Sequence, residues 1–169
     1  MSLLLAPLSG RHARDLQLLA ADEPIAGWLP PSLLDPRDGV LAFLERAQRL
    51  RARRVRETFG VCEEGRLLGL ALLARDETDP DRAEMAYWVG RRYRGSGYGT
   101  AAARQLVAHG FEGIALELIF ARSLADNRPS IRILEKVGLR FVGIEASDDT
   151  KRSIRHYQLR RDEWLAIAT

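Results

Sequence analysis

One stretch of seventeen residues, "GRRYRGSGYGTAAARQL" from Gly90 to Leu106, constrains the fold of this chain more than any other. Its glycines cluster between Arg94 and Gly99, after an aromatic-rich strand pattern and before apolar residues at helical spacing. Glycine allows a tight turn and close approach of the backbone to a ligand. The first amides of a helix lack internal partners and favour an anion. The stretch therefore predicts either an anion cradle or a glycine-rich turn with a helix attached.

Three kinds of phosphate-binding loop can be compared with this stretch. A Walker loop needs a lysine followed by serine or threonine, whereas Tyr98, Gly99 and Thr100 follow Gly97 here. A dinucleotide-binding fingerprint should open a parallel βαβ unit, but this loop lies mid-chain after antiparallel-looking strands. The acetyl-CoA pyrophosphate loop, Arg/Gln-x-x-Gly-x-Gly/Ala, is matched by Arg94, Gly97 and Gly99. Taken alone, the hexapeptide leaves the structural turn open as an alternative.

The composition is typical of one globular domain. The 169 residues are 46% hydrophobic and 29% charged, and no apolar run reaches the roughly 20 residues of a membrane span. The single cysteine, Cys62, excludes an internal disulfide and is expected to be a small buried hydrophobe rather than a nucleophile. "MSLLLAPL" lacks the basic start of a signal peptide. These features predict a cytoplasmic protein without a membrane partner.

The net charge of +3 is carried almost entirely by arginine. The densest run, "RAQRLRARRVR" from Arg46 to Arg56, has helical spacing and predicts a solvated helix face rather than a nucleic-acid patch. A nucleic-acid binder would show strongly salt-dependent binding, and it is the least favoured interpretation.

The predicted order of elements is β-α-α-β-β-β-α-β-α-β-β. A hairpin is expected over "ETFGVCEEGRLLGLALLARD", with Gly65 supplying the turn. Helices are expected from about Asp38 to Arg56, from about Tyr98 to Phe111, and after Pro129 with Gly138 as its stop. The last two predicted strands are "LRFVGIEA" and "IRHYQLRRDEW".

The segments "AEMAYWVGRRYRGSGYGTAAARQL" and "ADNRPSIRILEKVGLRFVG" together resemble the GNAT acetyltransferase superfamily, most nearly its RimJ/RimL-type N-terminal acetyltransferases. The resemblance covers nearly the whole chain and is strongest from Glu84 to Gly143. It implies a single GNAT domain over residues 1–169. The implied fold class is α/β (α+β), with a mixed, mostly antiparallel central sheet, a splayed pair of strands and helices on both faces.

The resemblance implies that acetyl-CoA is the cosubstrate. In the family the strand before the loop pairs with the pantetheine arm and the loop holds the pyrophosphate. Asn127 matches a family asparagine near pantetheine, although a helix cap is a competing role that it can fill simultaneously. The residues expected to bind the cosubstrate are Trp88, Val89, Gly90, Arg91, Arg94, Gly95, Ser96, Gly97, Tyr98, Gly99, Thr100, Asn127 and Ser130.

Two residues are candidates for catalysis, Glu84 and Ser130. Ser130 matches a position proposed in the subfamily to protonate or orient the departing thiolate, whereas the tyrosine that many GNAT enzymes use four residues later is Leu134 here. Attack by an amine needs a base, and Glu84 begins the strand that leads to the cosubstrate. For both residues the alternative is a purely structural role, as a solvated side chain at the start of a strand or helix with no part in catalysis.

The resemblance places acceptor choice in the first loop, the second helix and the last hairpin. Trp28 would form one wall, and Asp148, Asp149 and His156 the other, with the acidic pair attracting a cationic amine or simply forming a solvated turn. His12 and His109 are expected on helix surfaces. No cluster of residues has metal-ligand spacing, so no metal is expected.

The sequence thus predicts an acetyl-CoA-dependent N-acetyltransferase acting on a primary amine, either a protein N-terminus or a small molecule. The amine would attack directly in a ternary complex, without an acyl-enzyme. Dimers are common in the family, so a homodimer stays open. The alternative is a non-catalytic CoA-sensing or protein-interaction module on the same fold.

Overall fold

The computed structural model of the protein describes residues 3–22, 39–146 and 152–168. The strands are β1 (Leu3–Pro7), β2 (Arg56–Glu63), β3 (Arg66–Arg75), β4 (Arg82–Val89), β5 (Leu118–Leu124), β6 (Arg140–Ala146) and β7 (Ser153–Arg160). The helices are α1 (Ala13–Asp22), α2 (Gly39–Ala52), α3 (Tyr98–Ala108), α4 (Arg128–Lys136) and α5 (Arg161–Ala168). None of the described helices combines the length and apolarity that crossing a membrane requires.

The seven strands form one mixed sheet in the order β1-β2-β3-β4-β5-β7-β6. The pairs β1–β2, β5–β7 and β6–β7 are antiparallel, whereas β4–β5 is parallel. The parallel register runs over only three pairs, Arg82↔Leu118 to Glu84↔Phe120, although β5 pairs with β7 along seven residues. This confirms the predicted mixed, mostly antiparallel sheet with a pair of strands that part after a short contact.

The chain divides into two compact units. The first comprises Met1–Leu72 and Tyr87–Ala102. Its hydrophobic core brings α1 and α2 onto β1, β2 and β3, and the half-buried Trp88 and Tyr93 pack against it. The buried side chains of this core are Ala6, Leu8, Leu16, Leu19, Ala20, Val40, Leu44, Ala47, Cys62, Leu67 and Leu70.

The second unit comprises Leu73–Ala86 and Ala103–Thr169. Its larger fully buried side chains include Phe111, Ile119, Leu134 and Tyr157. Phe111 also stacks on Trp164, with ring centroids 5.4 Å apart.

The predicted hairpin between β2 and β3 is confirmed. Its two loop residues, Glu64 and Gly65, both have positive φ angles, 49° and 81°. This is the pattern of a type I′ turn, whose twist matches that of the flanking strands.

Three predicted boundaries were wrong. The segment after Arg160 forms α5 rather than extending β7, and the backbone N–H of Arg160 donates to Glu163 at its start. α2 ends at Ala52 because Arg54 adopts a left-handed conformation with φ 57°. The helix predicted to end at about Phe111 is α-helical only to Ala108, and a π-helical turn, His109–Gly113, follows it.

His12, expected on a helix surface, is instead 3% exposed in a short 3-10 turn. Its Nδ1 accepts a hydrogen bond from the backbone N–H of Ser9 at 3.1 Å, and its Nε2 lies 3.8 Å from Sγ of Cys62. Sequence spacing placed His12 on a helix face, whereas Cys62, one of its buried contacts, lies fifty residues further along the chain.

Candidate active site

The glycine loop joins the end of β4 to the start of α3 within the first unit. Gly95 and Gly97 have φ angles of 80° and 84°, which residues with a side chain rarely adopt. A Cβ atom at either position would meet nothing within 4 Å. The two glycines are therefore required by the backbone conformation of an open loop rather than by crowding.

The loop places backbone amides in front of α3, ahead of the helix's own hydrogen bonds. The first backbone hydrogen bond of this helix runs from the N–H of Ala101 to the carbonyl of Gly97, at 3.0 Å, so the amides just before Ala101 precede the helical ladder. α3 has no acidic residue in its first turn, while the nearby Arg91, Arg92 and Arg94 are exposed. This donor set fits a phosphate-bearing anion such as the pyrophosphate of CoA.

Two side chains brace the ends of the loop. Nε of Arg94 donates to the carbonyl oxygen of Val89 at 3.0 Å, which holds the guanidinium group beside the end of β4. The hydroxyl of Tyr98 donates to the carboxylate of Glu63 on β2, and this hydrogen bond is the main cause of the raised pKa of Tyr98. These two hydrogen bonds connect the loop to β4 and to β2.

The end of β4 is held tightly against β3. A Cβ atom on Gly69 would lie 2.9 Å from Cα of Val89, and the N–H of Gly90 donates to the carbonyl of Leu68 at 2.9 Å. Trp88 packs its ring against the hydrophobic core of the first unit. Any contact of this segment with a ligand would therefore use its backbone, as the sequence predicts.

In the second unit, Asn127 caps α4. Its Oδ1 accepts a hydrogen bond from the backbone N–H of Ser130 at 3.3 Å, so the structural role weighed for Asn127 is filled. Ser130 lies half-buried in the first turn of the helix. Leu134, at the position of the family's tyrosine, is 1% exposed and belongs to the core. The helix therefore offers a serine hydroxyl and no phenol at these two positions.

Glu84 is paired rather than isolated. Its Oε1 accepts from Nε of Arg122 at 2.8 Å and its Oε2 from Nη2 at 3.0 Å. The hydrogen bond to Glu84 is the main cause of the raised pKa of Arg122. A carboxylate held by a two-pronged guanidinium is well placed to contact an ammonium group, but both of its oxygens are already engaged as acceptors.

His156, the last predicted acceptor residue within the described part of the chain, lies on β7. Its Nε2 is 3.0 Å from Oε2 of Glu145 on β6. Trp28, Asp148 and Asp149 fall outside the described residues. Within the described ranges, no group of histidine, cysteine and carboxylate side chains could hold a metal ion.

Arg122 and Glu145 were not predicted from the sequence. Neither stands in a recognisable motif, and their partners are 38 and 11 residues away. The expected burial of Cys62 is confirmed at 5% exposure, and burial raises the pKa of its thiol, which makes it a poor nucleophile.

Comparison with known proteins identifies the family. The family model described as "Acetyltransferase (GNAT) domain" matches residues 2–140. A curated relative, "Putative ribosomal N-acetyltransferase YdaF" of Bacillus subtilis (strain 168), is 27% identical over 109 residues. That alignment covers 62% of this chain and 60% of the relative, so the chain spans less than two thirds of the relative's length.

Two solved structures have the same fold. RimL, a ribosomal alpha-N-protein acetyltransferase in complex with coenzyme A, superposes with a TM-score of 0.85 at 14% identity, covering 96% of each chain. RimJ of Mycobacterium smegmatis, in complex with CoA-disulfide, superposes with a TM-score of 0.79 at 20% identity, covering 98% of this chain and 89% of RimJ. With the family model matching most of its length, this chain belongs to the GNAT acetyltransferase family.

Proposed function

We propose that this protein is an acetyl-CoA-dependent N-acetyltransferase that transfers an acetyl group to a primary amine, either a protein N-terminus or a small molecule. The observation that carries the proposal is the loop before α3, with its left-handed Gly95 and Gly97, its leading amides and its exposed arginines. The coenzyme A in the RimL and RimJ structures supports the same ligand here. We further propose that residues 1–169 form one catalytic domain and that it works in the cytoplasm.

We propose a separate set of residues for each part of the cosubstrate. The loop residues Arg94 to Thr100 would bind the pyrophosphate, mainly through backbone N–H groups, and Trp88 to Arg91 would pair with the pantetheine arm. Asn127 and Ser130 are proposed to contact the arm and the thiolate respectively. Ser130 would protonate or orient the departing sulfur, because the residue that follows it by four positions is the buried Leu134.

The proposed reaction is direct attack of a neutral amine on the acetyl carbonyl carbon in a ternary complex. An N–C bond forms, the C–S bond breaks, and the amine loses a proton to a base. Glu84 is the carboxylate proposed near this step, where it would contact the amine or accept its proton. Trp28, Asp148 and Asp149 remain predicted acceptor residues.

Binding of the cosubstrate can be tested by thermal unfolding with CoA, acetyl-CoA or AMP, which lacks both the pyrophosphate and the pantetheine arm. CoA at 100 times its Kd should stabilise the protein by about 2.7 kcal/mol. Replacing Gly97 with valine forces a β-branched side chain to φ 84°, so it should remove most of the CoA-induced rise in Tm. Gly10→Val is a matched control, because a Cβ at Gly10 also meets nothing within 4 Å. Equal CoA binding by wild type and Gly97→Val would contradict the loop assignment.

The second candidate function is a CoA-sensing module without turnover, which is favoured by the buried Leu134 where many relatives carry a tyrosine. Release of free thiol from acetyl-CoA across a panel of amines separates the two functions. Thiol release that depends on an amine supports the enzyme. A rise in Tm with CoA, but no amine-dependent release, supports the sensor.

A further inference from the structure

Four charged or ionisable side chains lie on one face of the sheet in the second unit, one on each of four neighbouring strands. Residues directly opposite each other in a sheet share a face, as do alternate residues along a strand. Glu84 lies opposite Phe120, two residues before Arg122, and Arg122 lies opposite His156. Glu84, Arg122 and His156 therefore follow one another across β4, β5 and β7.

The fourth side chain, Glu145, reaches this face through a β-bulge. In β6, Phe141 lies opposite Tyr157 and Gly143 lies opposite His156, so Val142 is the extra residue. With regular pairing Val142 would face His156 and Glu145 would fall opposite residue 153, on the other face of the sheet. The bulge thus brings the Glu145 carboxylate to His156, with 3.0 Å between Oε2 and Nε2.

The bulge also clears space beside the imidazole. The residue opposite His156 on β6 is Gly143, and a Cβ atom there would meet nothing within 4 Å. About a third of the His156 side chain is exposed. Bulges often lie next to active sites, where they re-aim a side chain or end a pairing.

We propose that His156 is the base that accepts the proton of the acceptor amine and that Glu145 positions its imidazole ring. When Nε2–H of the neutral ring donates to Glu145, the lone pair is on Nδ1. Within the described ranges, Nδ1 of His156 has no hydrogen-bond partner. The proton of the attacking nitrogen moves to Nδ1 as the N–C bond forms, and the electron pair of the broken C–S bond leaves with the sulfur of CoA.

In this proposal the Glu84–Arg122 pair binds the amine and the His156–Glu145 pair accepts its proton. Glu84 accepts both hydrogen bonds from Arg122, so we assign it to holding the amine rather than to taking the proton. His156 is faced by Glu145 from β6 and by Arg122, with its partner Glu84, from β5 and β4. An imidazole is suited to the step because one ring nitrogen can accept a proton while the other is held by a hydrogen bond.

The inference rests on the proposed acetyltransferase function, and its test keeps the two apart. Initial rates of thiol release from acetyl-CoA are measured from pH 5.5 to 9 with a saturating amine, and CoA binding is measured in parallel by thermal unfolding. The amines include one peptide with a free N-terminus and one whose only amine is a lysine side chain. The variants are His156→Gln, Glu145→Gln, Glu145→Asp and Glu84→Gln, with His109→Gln as the control for a half-buried histidine elsewhere.

We expect His156→Gln to lower kcat at least about a hundredfold, within the range of general-base catalysis, and to remove the acid limb of the pH–rate profile. Glu145→Gln should lower kcat less than His156→Gln does, because the imidazole ring loses the carboxylate that orients it, and Glu145→Asp should restore part of the rate. Glu84→Gln should raise KM for the amine and leave the limb in place. CoA should raise the Tm of all variants as it does for wild type.

An active wild type whose His156→Gln variant keeps kcat within threefold and keeps the acid limb would overturn the inference and leave the acetyltransferase intact. Loss of the limb in Glu84→Gln instead would assign the proton to Glu84 and also overturn it. A wild type that binds CoA but acetylates no amine would reject the proposed function itself, and the inference with it. Poor folding of a variant would show as a lowered Tm without CoA, and the loss of kcat in Glu145→Gln with its partial recovery in Glu145→Asp then gives the readout.

Discussion

The guanidinium group of Arg122 holds the carboxylate of Glu84 by two hydrogen bonds, 2.8 Å from Nε to Oε1 and 3.0 Å from Nη2 to Oε2. The side chains are 53% and 28% exposed, so the pair contributes little to stability. Its value lies in its geometry, because it fixes the direction of a carboxylate at the point where the register between β4 and β5 ends.

Replacing Arg122 with lysine keeps the positive charge and removes the planar fork. We expect kcat/KM for the amine to fall about tenfold, which corresponds to about 1.4 kcal/mol. The free energy of unfolding should change by less than about 1 kcal/mol, because the pair is solvent-exposed. Steady-state kinetics and urea unfolding give the two numbers. The exposed Arg132 on α4 is the control, and an equal loss in Arg132→Lys would show that the effect is not specific to the pair.

Arg94→Lys should weaken CoA binding. Nε of Arg94 donates to the carbonyl of Val89, the terminal guanidinium nitrogens are proposed to face an anion, and lysine lacks this planar fork of donors. The loss of a charge-assisted hydrogen bond predicts about a tenfold higher Kd or more. Isothermal titration with CoA measures it, with Arg104→Lys on the exposed face of α3 as the matched control. An unchanged Kd in Arg94→Lys would remove this side chain from the proposed pyrophosphate site.

Gly69→Ala tests the close contact between β3 and β4. The added Cβ would come within 2.9 Å of Cα of Val89, and backbone atoms cannot yield as a flexible side chain does. We expect a loss of about 1–3 kcal/mol in the free energy of unfolding, as for other overpacked sites, measured by urea denaturation. Gly10→Ala, with open space around its Cβ, should remain near wild type. A neutral Gly69→Ala would mean that the two strands separate at little cost.

Stability should fall in mild acid because of His12. Burial, with Arg11 adding to the effect, lowers the pKa of His12 in the folded state. The unfolded chain, with a pKa near 6.5, therefore takes up the proton first as the pH falls. The contribution of the neutral imidazole is present above pH 6.5 and is lost as the pH falls from there through the lower folded pKa, by at most about 1.4 kcal/mol per pH unit.

Urea unfolding at pH 7.5, 6.5 and 5.5 measures this loss. His12→Gln should lower stability at pH 7.5 and flatten its dependence on pH, since glutamine does not titrate. The same slope in wild type and His12→Gln would show that other groups cause the acid sensitivity.

Local patterns predicted the local structure well. The Glu64–Gly65 turn, the start of α3 after the glycine loop and the end of α4 before Gly138 all depend on residues within a few positions of each other. Each is specified by backbone preferences that a sequence displays directly. The family resemblance added the fold, which the superposed GNAT structures confirm.

The features that the sequence did not predict share a different cause. The buried His12 contacts Cys62, Glu84 pairs with Arg122, and the position of Glu145 depends on a bulge in β6. Each follows from the register of distant segments, which no short motif encodes. α5 was missed because "RDEW" can continue a strand pattern, whereas its acidic residues start a helix.

β6 is the last strand in the sheet order and pairs with β7 alone. Its register can therefore shift by one residue without disrupting the hydrogen bonds of a second strand pair. A single-residue insertion or deletion in β6 could exchange the carboxylate beside His156 for an apolar side chain while β4, β5 and β7 kept their register. The orientation of the His156 ring, and the rate that depends on it, would then change with chain length alone, through an indel that replaces no residue of the β5–β7 ladder.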